Sequence, residues 1–234
     1  MSAAPAFAAG HELLDDPGAD PVRVATSLGN IARANRWFGG SWAALHGIDQ
    51  VLGDDPPRRV SLLDLGTGLG DLPRAAVVRA ARRGIELRPY GLERHPAAAR
   101  LARGAAFATV VGCVGALPVR PGSVDIVLVS QVLHHLDARS ATALLASADQ
   151  VARRGVVIAD LRRSRVAPLL FRAGAGLLRF DRDTVADGIT SISRGYTVDE
   201  LRSLCAAAGA PASVEARPGY RVVAWWRTGK AASS

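Results

Sequence analysis

The feature that most constrains the fold is a short apolar run that leads directly into three closely spaced glycines. Residues 60–65 are followed by Gly66, Gly68 and Gly70, and a helical pattern begins at Asp71. This order of strand, glycine loop and helix lets the backbone approach a ligand closely, with the helix N-terminus behind it. The sequence therefore predicts a binding loop at the carboxyl end of a buried strand.

Short apolar runs alternate with helical patterns over most of the chain. Strands are predicted at residues 60–65, 85–93, 107–113, 124–131 and 155–161, and helices at 71–83, 96–103 and 139–152. This alternation implies an α/β fold with right-handed crossovers and a parallel sheet that helices cover on both faces. After a helix at 197–208, residues 213–217 and 220–227 predict a C-terminal antiparallel hairpin.

A proline-rich linker divides the chain into two predicted parts. Residues 1–57 would form a leader and a helical lid, with a helical pattern at 21–52. Residues 58–234 would form the main domain, in which residues 162–196 interrupt the alternation and predict an insertion over the substrate. The length of 234 residues and the 49% of apolar residues suit one globular domain with a lid.

The composition limits the partners and the location of the protein. The net charge of +8 comes almost wholly from arginine, and no run of five or six basic residues occurs, which argues against a nucleic-acid partner. Two cysteines, Cys113 and Cys205, are too few for a disulfide framework or a metal cluster, and no metal site is predicted. No apolar stretch reaches about 18 residues, so no membrane span is expected, and the cysteine usage favours a cytoplasmic protein.

Acidic residues around the glycine loop indicate the charge of the ligand. A dinucleotide fingerprint needs glycine at its sixth position, but Asp71 stands there, where a pyrophosphate would have to bind. Asp64, just before the glycines, favours a positively charged group such as an ammonium. Glu93, at the end of the second predicted strand, would reach ribose hydroxyls. These residues describe a site for a nucleoside with a cationic amino-acid tail and no phosphate.

Four segments in order resemble class I S-adenosylmethionine-dependent methyltransferases. They are LLDLGTGLGD at 62–71, YGLERH at 90–95, GCVGALPVRPGSVDIVLVSQVLHHL at 112–136 and RGVVIADL at 154–161. The resemblance implies a Rossmann-like, doubly wound sheet of seven strands, an enzyme, and S-adenosyl-L-methionine as its cofactor.

The resemblance also implies cofactor-binding residues at the ends of the first four strands: Asp64, Gly66, Thr67, Gly68, Gly70, Glu93, Arg94, Cys113, Val114, Ser130 and Gln131. The glycine loop would line the methionine part, and Asp64 would hold its ammonium group directly or through water. Glu93 would bind the ribose, Arg94 would lie beside the adenine, and the backbone of Ser130 and Gln131 would lie near the methionine tail.

Cys113 departs from the pattern of the family. Many relatives have an aspartate there that accepts a hydrogen bond from the adenine amino group, and cysteine is a poor acceptor. Either the backbone of Val114 and Gly115 reads the adenine, or the cofactor binds more weakly. Cys113 is expected to be a small buried packing residue rather than a nucleophile.

Candidate catalytic groups follow the fourth and fifth predicted strands. His134 and His135 form the only adjacent pair of histidines, and each is a candidate general base, as is Asp160. The alternative is a packing histidine whose ring fixes the loop. A base is needed only if the acceptor must lose a proton, because alignment of the reactants carries much of the effect in a methyl transfer.

Two segments outside the four motifs predict how the acceptor is held. Residues 33–40 resemble the lid of quinone-type methyltransferases, in which Arg36 would meet the cofactor carboxylate and Trp37 would cover the site. The insertion resembles bacterial methyltransferases of secondary metabolism, including those of aromatic polyketides. On that resemblance, Arg162, Arg194 and Tyr196 would bind a carboxylate or phenolate acceptor.

The predicted function is methyl transfer to a small molecule, with an oxygen of an aromatic or polyketide-like secondary metabolite as the target. The nearest alternative is carbon methylation in quinone-type biosynthesis, and another is a non-catalytic protein that binds the cofactor. An RNA methyltransferase is disfavoured, because the fourth strand lacks Asn/Asp-Pro-Pro-Tyr and no Pro-Cys nucleophile occurs. Monomer and homodimer both stay open.

Overall fold

Seven strands form one sheet in the computed structural model, which describes residues 12–16, 18–104 and 107–229. In chain order the strands are β1 (Arg59–Leu65), β2 (Glu86–Glu93), β3 (Ala108–Val111), β4 (Val124–Ser130), β5 (Ala152–Leu161), β6 (Ser213–Arg217) and β7 (Arg221–Arg227). Their order across the sheet is β3-β2-β1-β4-β5-β7-β6. β7 runs antiparallel to the other six strands. The predicted Rossmann-like sheet with a C-terminal antiparallel hairpin is confirmed.

Helices cover both faces of this sheet. They are α1 (Pro21–Trp37), α2 (Gly40–Leu52), α3 (Asp71–Ala81), α4 (Pro96–Arg103), α5 (Ala138–Val151), α6 (Ala167–Leu177), α7 (Arg182–Arg194) and α8 (Val198–Ala207). Alternate residues of β1 point to opposite faces: Leu62 packs in the core beneath α2 and α3, and Leu63 in the core beneath α5 and α8. Both faces of the central strands are therefore buried, as a parallel sheet requires.

The predicted helical pattern at 21–52 is two helices, and the break falls at Gly39. Its φ of +78° lies in the left-handed region, and a Cβ there would come within 2.5 Å of the carbonyl oxygen of Pro218. Only glycine fits this approach between the chain and the turn that precedes β7. Helix α2 then packs on β5 and β7, whereas α1 crosses the carboxyl ends of the strands. The division of the chain at residue 57 stays a prediction.

Several boundaries differ from the sequence-based expectation. β3 is shorter than the predicted 107–113, and β5 begins at Ala152 rather than at 155. The insertion at 162–196, for which no helix was predicted, contains α6 and α7. Pro168 stands in the first turn of α6, and the Asp181 side chain accepts a hydrogen bond from the Thr184 N–H at the start of α7. Most of the leader, at residues 1–11, lies outside the described residues.

Within the ranges that the structure describes, every helix is too short or too polar to cross a bilayer.

Candidate active site

A cavity of about 630 Å³ lies at the carboxyl ends of β1, β2, β4 and β5, between the sheet and the helices α1, α6 and α7. This is the edge at which open α/β sheets bind their ligands. Most of the predicted cofactor, acceptor and catalytic residues line it: Trp37, Asp64, Gly66, Thr67, Gly68, Glu93, Arg94, Cys113, Val114, Ser130, Gln131, His134 and His135. The fold thus brings together one site from residues that are far apart in sequence.

The glycine loop is held in a shape that side chains would obstruct. Gly66, Gly68 and Gly70 have φ values of 76°, 54° and 71°. The N–H groups of Gly66 and Thr67 donate hydrogen bonds to the carbonyl of Leu92 at 2.8 and 3.2 Å. The first two glycines line the cavity, whereas Gly70 starts α3 and lies outside the lining. The loop therefore presents backbone to a ligand at Gly66 and Gly68.

Asp64 provides a buried carboxylate in the wall of this cavity. Its side chain is 2% exposed, and its Oδ1 has no hydrogen-bond partner among the described residues. Burial raises the pKa of Asp64 to about 8, and the nearby charges of Asp71 and Glu93 add to the rise. An ammonium group placed here would satisfy the oxygen and restore the charged form. The site therefore fits a ligand with a cationic amino group.

Glu93 organises the part of the site where a ribose is predicted. Its carboxylate accepts hydrogen bonds from the N–H groups of Gly68 and His95, both at 2.9 Å. It thereby joins the glycine loop to the start of α4 while still lining the cavity. A carboxylate has capacity for further donors, so these bonds leave room for hydroxyl groups.

The adenine region contains one correction to the expectation from sequence. Cys113 is exposed rather than buried, and its Sγ accepts a hydrogen bond from the N–H of Gly115 at 3.4 Å. Val114 lines the cavity beside it. The thiol therefore shapes a turn at the cavity wall and does not fill the core.

Gln131 follows β4 and lies within a chain of polar side chains. Its φ of 55° is in the left-handed region, which is unusual for a residue with a side chain. The side-chain nitrogen donates to Asn35 Oδ1 at 2.5 Å, and the side-chain oxygen accepts from Arg221 at 3.2 Å. Asn35 in turn donates to Asp71 at 3.1 Å. We call Asp71, Asn35, Gln131 and Arg221 the polar relay.

The charged end of the polar relay is buried. Arg221 is 5% exposed, and burial lowers its pKa to about 10, against the opposing effect of Asp160. Its Nε also donates to the carbonyl of Phe38 at 3.1 Å, next to the break between α1 and α2. The relay therefore ties the lid helix α1 to β4, β7 and α3.

His134 and Asp160 form a buried pair beside the cavity. The Nδ1 of His134 lies 2.6 Å from Asp160 Oδ1, and the carboxylate also accepts from the N–H groups of Leu133 and Leu161. Burial works to lower the pKa of His134, but the charge and hydrogen bond of Asp160 outweigh it, so the pKa lies above its ordinary value. Burial conversely works to raise the pKa of Asp160, and the same pairing holds it below its usual range. An ionised Asp160 fixes the tautomer in which Nδ1 carries the proton and Nε2 carries a lone pair.

A short segment at residues 12–16, which we call the strap, lies across the cavity. The N–H of Leu13 donates to Asp187 of α7 at 3.1 Å, and Arg94 donates to the carbonyl of Leu14 at 2.9 Å. Glu12 accepts from Arg194 at 3.1 Å. The strap thus touches both the end of β2 and helix α7.

Glu12, His134 and His135 are the one group of metal-ligand type among the described residues, with ligand atoms within 4.8 Å of one another. Arg194 already neutralises Glu12 in a buried ion pair, with side-chain exposures of 5% and 8%. A dication would have to share this space with a fixed positive charge. The cluster therefore does not resemble a site built for a metal ion.

Besides Gly70 and the predicted base Asp160, three predicted acceptor residues and the predicted cofactor residue Arg36 lie outside the cavity lining. Arg194 pairs with Glu12, and the Tyr196 hydroxyl donates to the carbonyl of Leu133 at 3.0 Å. Arg162 stacks on the ring of Tyr220, and Arg36 lies over the ring of Trp37. Each of the four has a structural partner that the sequence pattern did not show.

Aromatic side chains that were not predicted form part of the cavity wall. Phe171, Phe180 and Tyr220 line the cavity together with Trp37 and Phe38. Phe38 meets Phe171 edge to face at 5.8 Å between ring centroids. In the sequence, Phe171 and Phe180 within the apolar patch of the insertion could have indicated this wall.

Comparisons with known proteins agree with the fold. Residues 63–159 match the family model described as a methyltransferase domain. A search of curated proteins found no match. The sheet order, the glycine loop and this match identify a Rossmann-like methyltransferase fold.

Solved structures share this fold at low sequence identity. Human N-acetylserotonin methyltransferase in complex with S-adenosylmethionine superposes with a TM-score of 0.63 at 14% identity, over 90% of this chain and 57% of that one. The O-methyltransferase NcsB1 from neocarzinostatin biosynthesis gives 0.63 at 20%, over 92% and 61%. The plantazolicin methyltransferase BpumL in complex with S-adenosylhomocysteine gives 0.66 at 12%, over 92% and 93%. The chain thus spans little more than half the length of the first two proteins.

Proposed function

We propose that the protein methylates an oxygen atom of a small aromatic or polyketide-like acceptor. The observation that carries this proposal is His134, which lines the cavity and is paired with the fully buried Asp160. A hydroxyl acceptor must lose a proton as its oxygen attacks, and a neutral imidazole held by a carboxylate is suited to take it. The cofactor, when bound, supplies an electrophilic methyl group on a sulfonium.

The residues of this chain divide the work between binding and proton transfer. Asp64 holds the ammonium group of the cofactor, Glu93 the ribose, and the backbone at Gly66 and Gly68 the methionine part. His134 accepts the acceptor's proton at Nε2, and Asp160 stabilises the resulting imidazolium without itself taking the proton.

The aromatic wall favours a planar acceptor. Phe38, Phe171 and Phe180 lie opposite the sheet edge and offer ring faces and edges to another ring. The superposed NcsB1 was solved with S-adenosylhomocysteine and 1,4-dihydroxy-2-naphthoic acid, which is such a molecule. Trp37 would cover the acceptor, whereas Arg162, Arg194 and Tyr196 act through the packing of the insertion.

Transfer of a labelled methyl group tests the proposal. The purified protein is incubated with methyl-labelled S-adenosylmethionine and 1,4-dihydroxy-2-naphthoic acid, simpler phenolic acids, naphthalenes without a hydroxyl group, or RNA. We expect label in a methoxy group of a phenolic acceptor, and none from the naphthalenes or RNA. A new carbon–methyl bond in the product, read by NMR, would instead establish carbon methylation.

The variant His134→Gln provides the matched control, because it removes the base and leaves the cofactor residues in place. It should bind S-adenosylhomocysteine like the wild type and lose turnover. Cofactor binding without turnover of any acceptor by the wild type would favour the non-catalytic alternative. Cytoplasmic location, oligomeric state and a place in secondary metabolism remain predictions.

A further inference from the structure

Helix α6 exposes a continuous stripe of apolar side chains. Val166, Leu169, Leu170 and Leu177 are 49%, 67%, 54% and 85% exposed. Their spacing of three, one and seven residues places them within an arc of about 100° on one face of the helix. We call these four residues the α6 stripe. Large apolar side chains that share one exposed face indicate an interaction surface.

The opposite face of α6 already accounts for its packing on the protein. Ala167 and Ala175 are buried, and Phe171 contacts Phe38. A Cβ at Gly174 would lie 2.7 Å from the Phe38 ring, so the helix lies close against the end of α1 there. The α6 stripe is therefore not the face through which α6 packs on the rest of the protein.

Exposed arginines accompany the α6 stripe. Residues 161–180 contain five arginines and no acidic residue. Arg172 is exposed on α6 itself, and the exposed Arg165 and Arg179 lie just before and just after the helix. The surface thus combines an apolar ridge with positive charges and no negative charge along this segment.

We propose that this face docks on the surface of an anionic phospholipid bilayer. Apolar side chains of a helix that lies in the interface enter the boundary between headgroups and acyl chains, and adjacent arginines attract anionic headgroups. A second copy of the chain fits less well. A symmetric contact through α6 would bring Arg165, Arg172 and Arg179 of both copies close together, and their like charges repel.

The position of the α6 stripe relates it to the cavity. Leu170 belongs to the stripe and also lines the cavity, as does the 65% exposed Trp37 on the neighbouring helix. Docking through α6 therefore places the mouth of the cavity at the bilayer. If the proposed function holds, this arrangement suits an acceptor that partitions into lipid.

Flotation with lipid vesicles tests the docking surface without cofactor or acceptor. Vesicles of phosphatidylglycerol and phosphatidylcholine in equal parts are compared with vesicles of phosphatidylcholine alone. We expect the wild type to float with the anionic vesicles and to lose binding as salt is added. The double variant Leu169→Asp/Leu177→Asp should bind about tenfold more weakly or worse, whereas Val78→Asp, at a 55% exposed position on α3, should not change binding.

Replacing Arg165, Arg172 and Arg179 by Gln should weaken binding by about fivefold for each arginine. The same change at the exposed Arg58, Arg82 and Arg100 is the control. Absence of flotation of the wild type, or equal effects of the stripe and control variants, would overturn the proposal. So would a concentration-dependent dimer in light scattering that the stripe variant abolishes without affecting flotation. None of these outcomes bears on methyl transfer, which is measured separately.

Discussion

The side chain of Gln131 donates a hydrogen bond to Asn35 across 96 residues of sequence, at 2.5 Å. The side-chain nitrogen of Asn35 donates a hydrogen bond to the carboxylate of Asp71, and the side-chain oxygen of Gln131 accepts one from the guanidinium of Arg221. Because the two ends have opposite charge, only one orientation of each amide satisfies the chain of bonds. The polar relay thereby fixes how the lid helix α1 meets the sheet.

Asn35→Asp tests the direction of these bonds. The substitution removes the donor to Asp71 and places a second carboxylate beside it, where burial already raises the pKa of Asp71. We expect the free energy of unfolding to fall by about 1–3 kcal/mol at pH 8 and to recover partly at pH 5, where one carboxyl can bind a proton. Denaturant unfolding at both pH values measures this. Asn35→Ala is the control, and an equal loss at both pH values for the two variants would contradict the assignment.

The His134–Asp160 pair predicts the pH dependence of methyl transfer. Only neutral His134 can accept a proton, and Asp160 raises its pKa, so kcat/KM should rise with pH through a value above the ordinary histidine pKa. Asp160→Asn should move that limb to lower pH and reduce kcat/KM by roughly 10²–10⁴. His134→Gln should remove the limb. Pre-formed phenolate acceptors should recover part of the lost rate, and a profile unchanged in both variants would exclude a base at this position.

Asp64 predicts that cofactor binding releases a proton. Burial raises the pKa of its carboxyl to about 8 in the ligand-free site, from about 3.9 for an ordinary aspartate, and an ammonium ligand requires the charged form. Below pH 8, binding of S-adenosylhomocysteine should therefore weaken by about tenfold per pH unit. Calorimetry in buffers of different ionisation enthalpy should show one proton released per ligand at pH 7.

The raised pKa of Asp64 also predicts how the free energy of unfolding changes with pH. Its folded-state pKa is raised, so the folded protein holds the proton more tightly than the unfolded chain between about pH 4 and 8. The ligand-free wild type should lose stability as pH rises through this window. Asp64→Asn should remove that loss while abolishing tight cofactor binding. A variant that is less stable at pH 8 and binds as before would refute the role of Asp64.

Gly66→Ala tests whether the glycine loop needs glycine, and Gly84→Ala is the matched control. Gly66 and Gly84 have φ values of +76° and +72°, but a Cβ would meet Val132 at 2.6 Å only at Gly66. Gly84→Ala should cost about 1–2 kcal/mol of unfolding free energy from the backbone alone. Gly66→Ala should cost about 1–3 kcal/mol more and should lower cofactor affinity, which Gly84→Ala leaves unchanged. Equal losses would show that the contact with Val132 is unimportant.

The parts of the site that sequence predicted are local in the chain. Asp64 and the three glycines lie within seven residues at the end of the predicted strand, so this pattern alone predicts which part of the backbone approaches the ligand. Glu93 followed from the rule that parallel strands end at the same edge. Such features need no knowledge of distant partners.

The predicted acceptor residues that lie outside the cavity lining have partners far away in the sequence. Arg194 has the charge to bind an acceptor, but its partner Glu12 lies 182 residues away and occupies it. Helices α6 and α7 escaped prediction for a related reason. Gly174 and Gly176 weaken the helical propensity of α6, and its packing of Phe171 on Phe38 compensates only in the folded chain.

The strap has a consequence for the pace of turnover. Because it contacts Arg94 near the end of β2 and Asp187 on α7, we expect both ends of the cavity to open through one movement. On the proposed function, spent cofactor and methylated product would then leave after a shared step, and we expect that step to set the steady-state rate. A rapid first turnover followed by slower cycling in quenched-flow measurements is the expected signature, and Asp187→Ala should speed the slow phase and leave the burst unchanged.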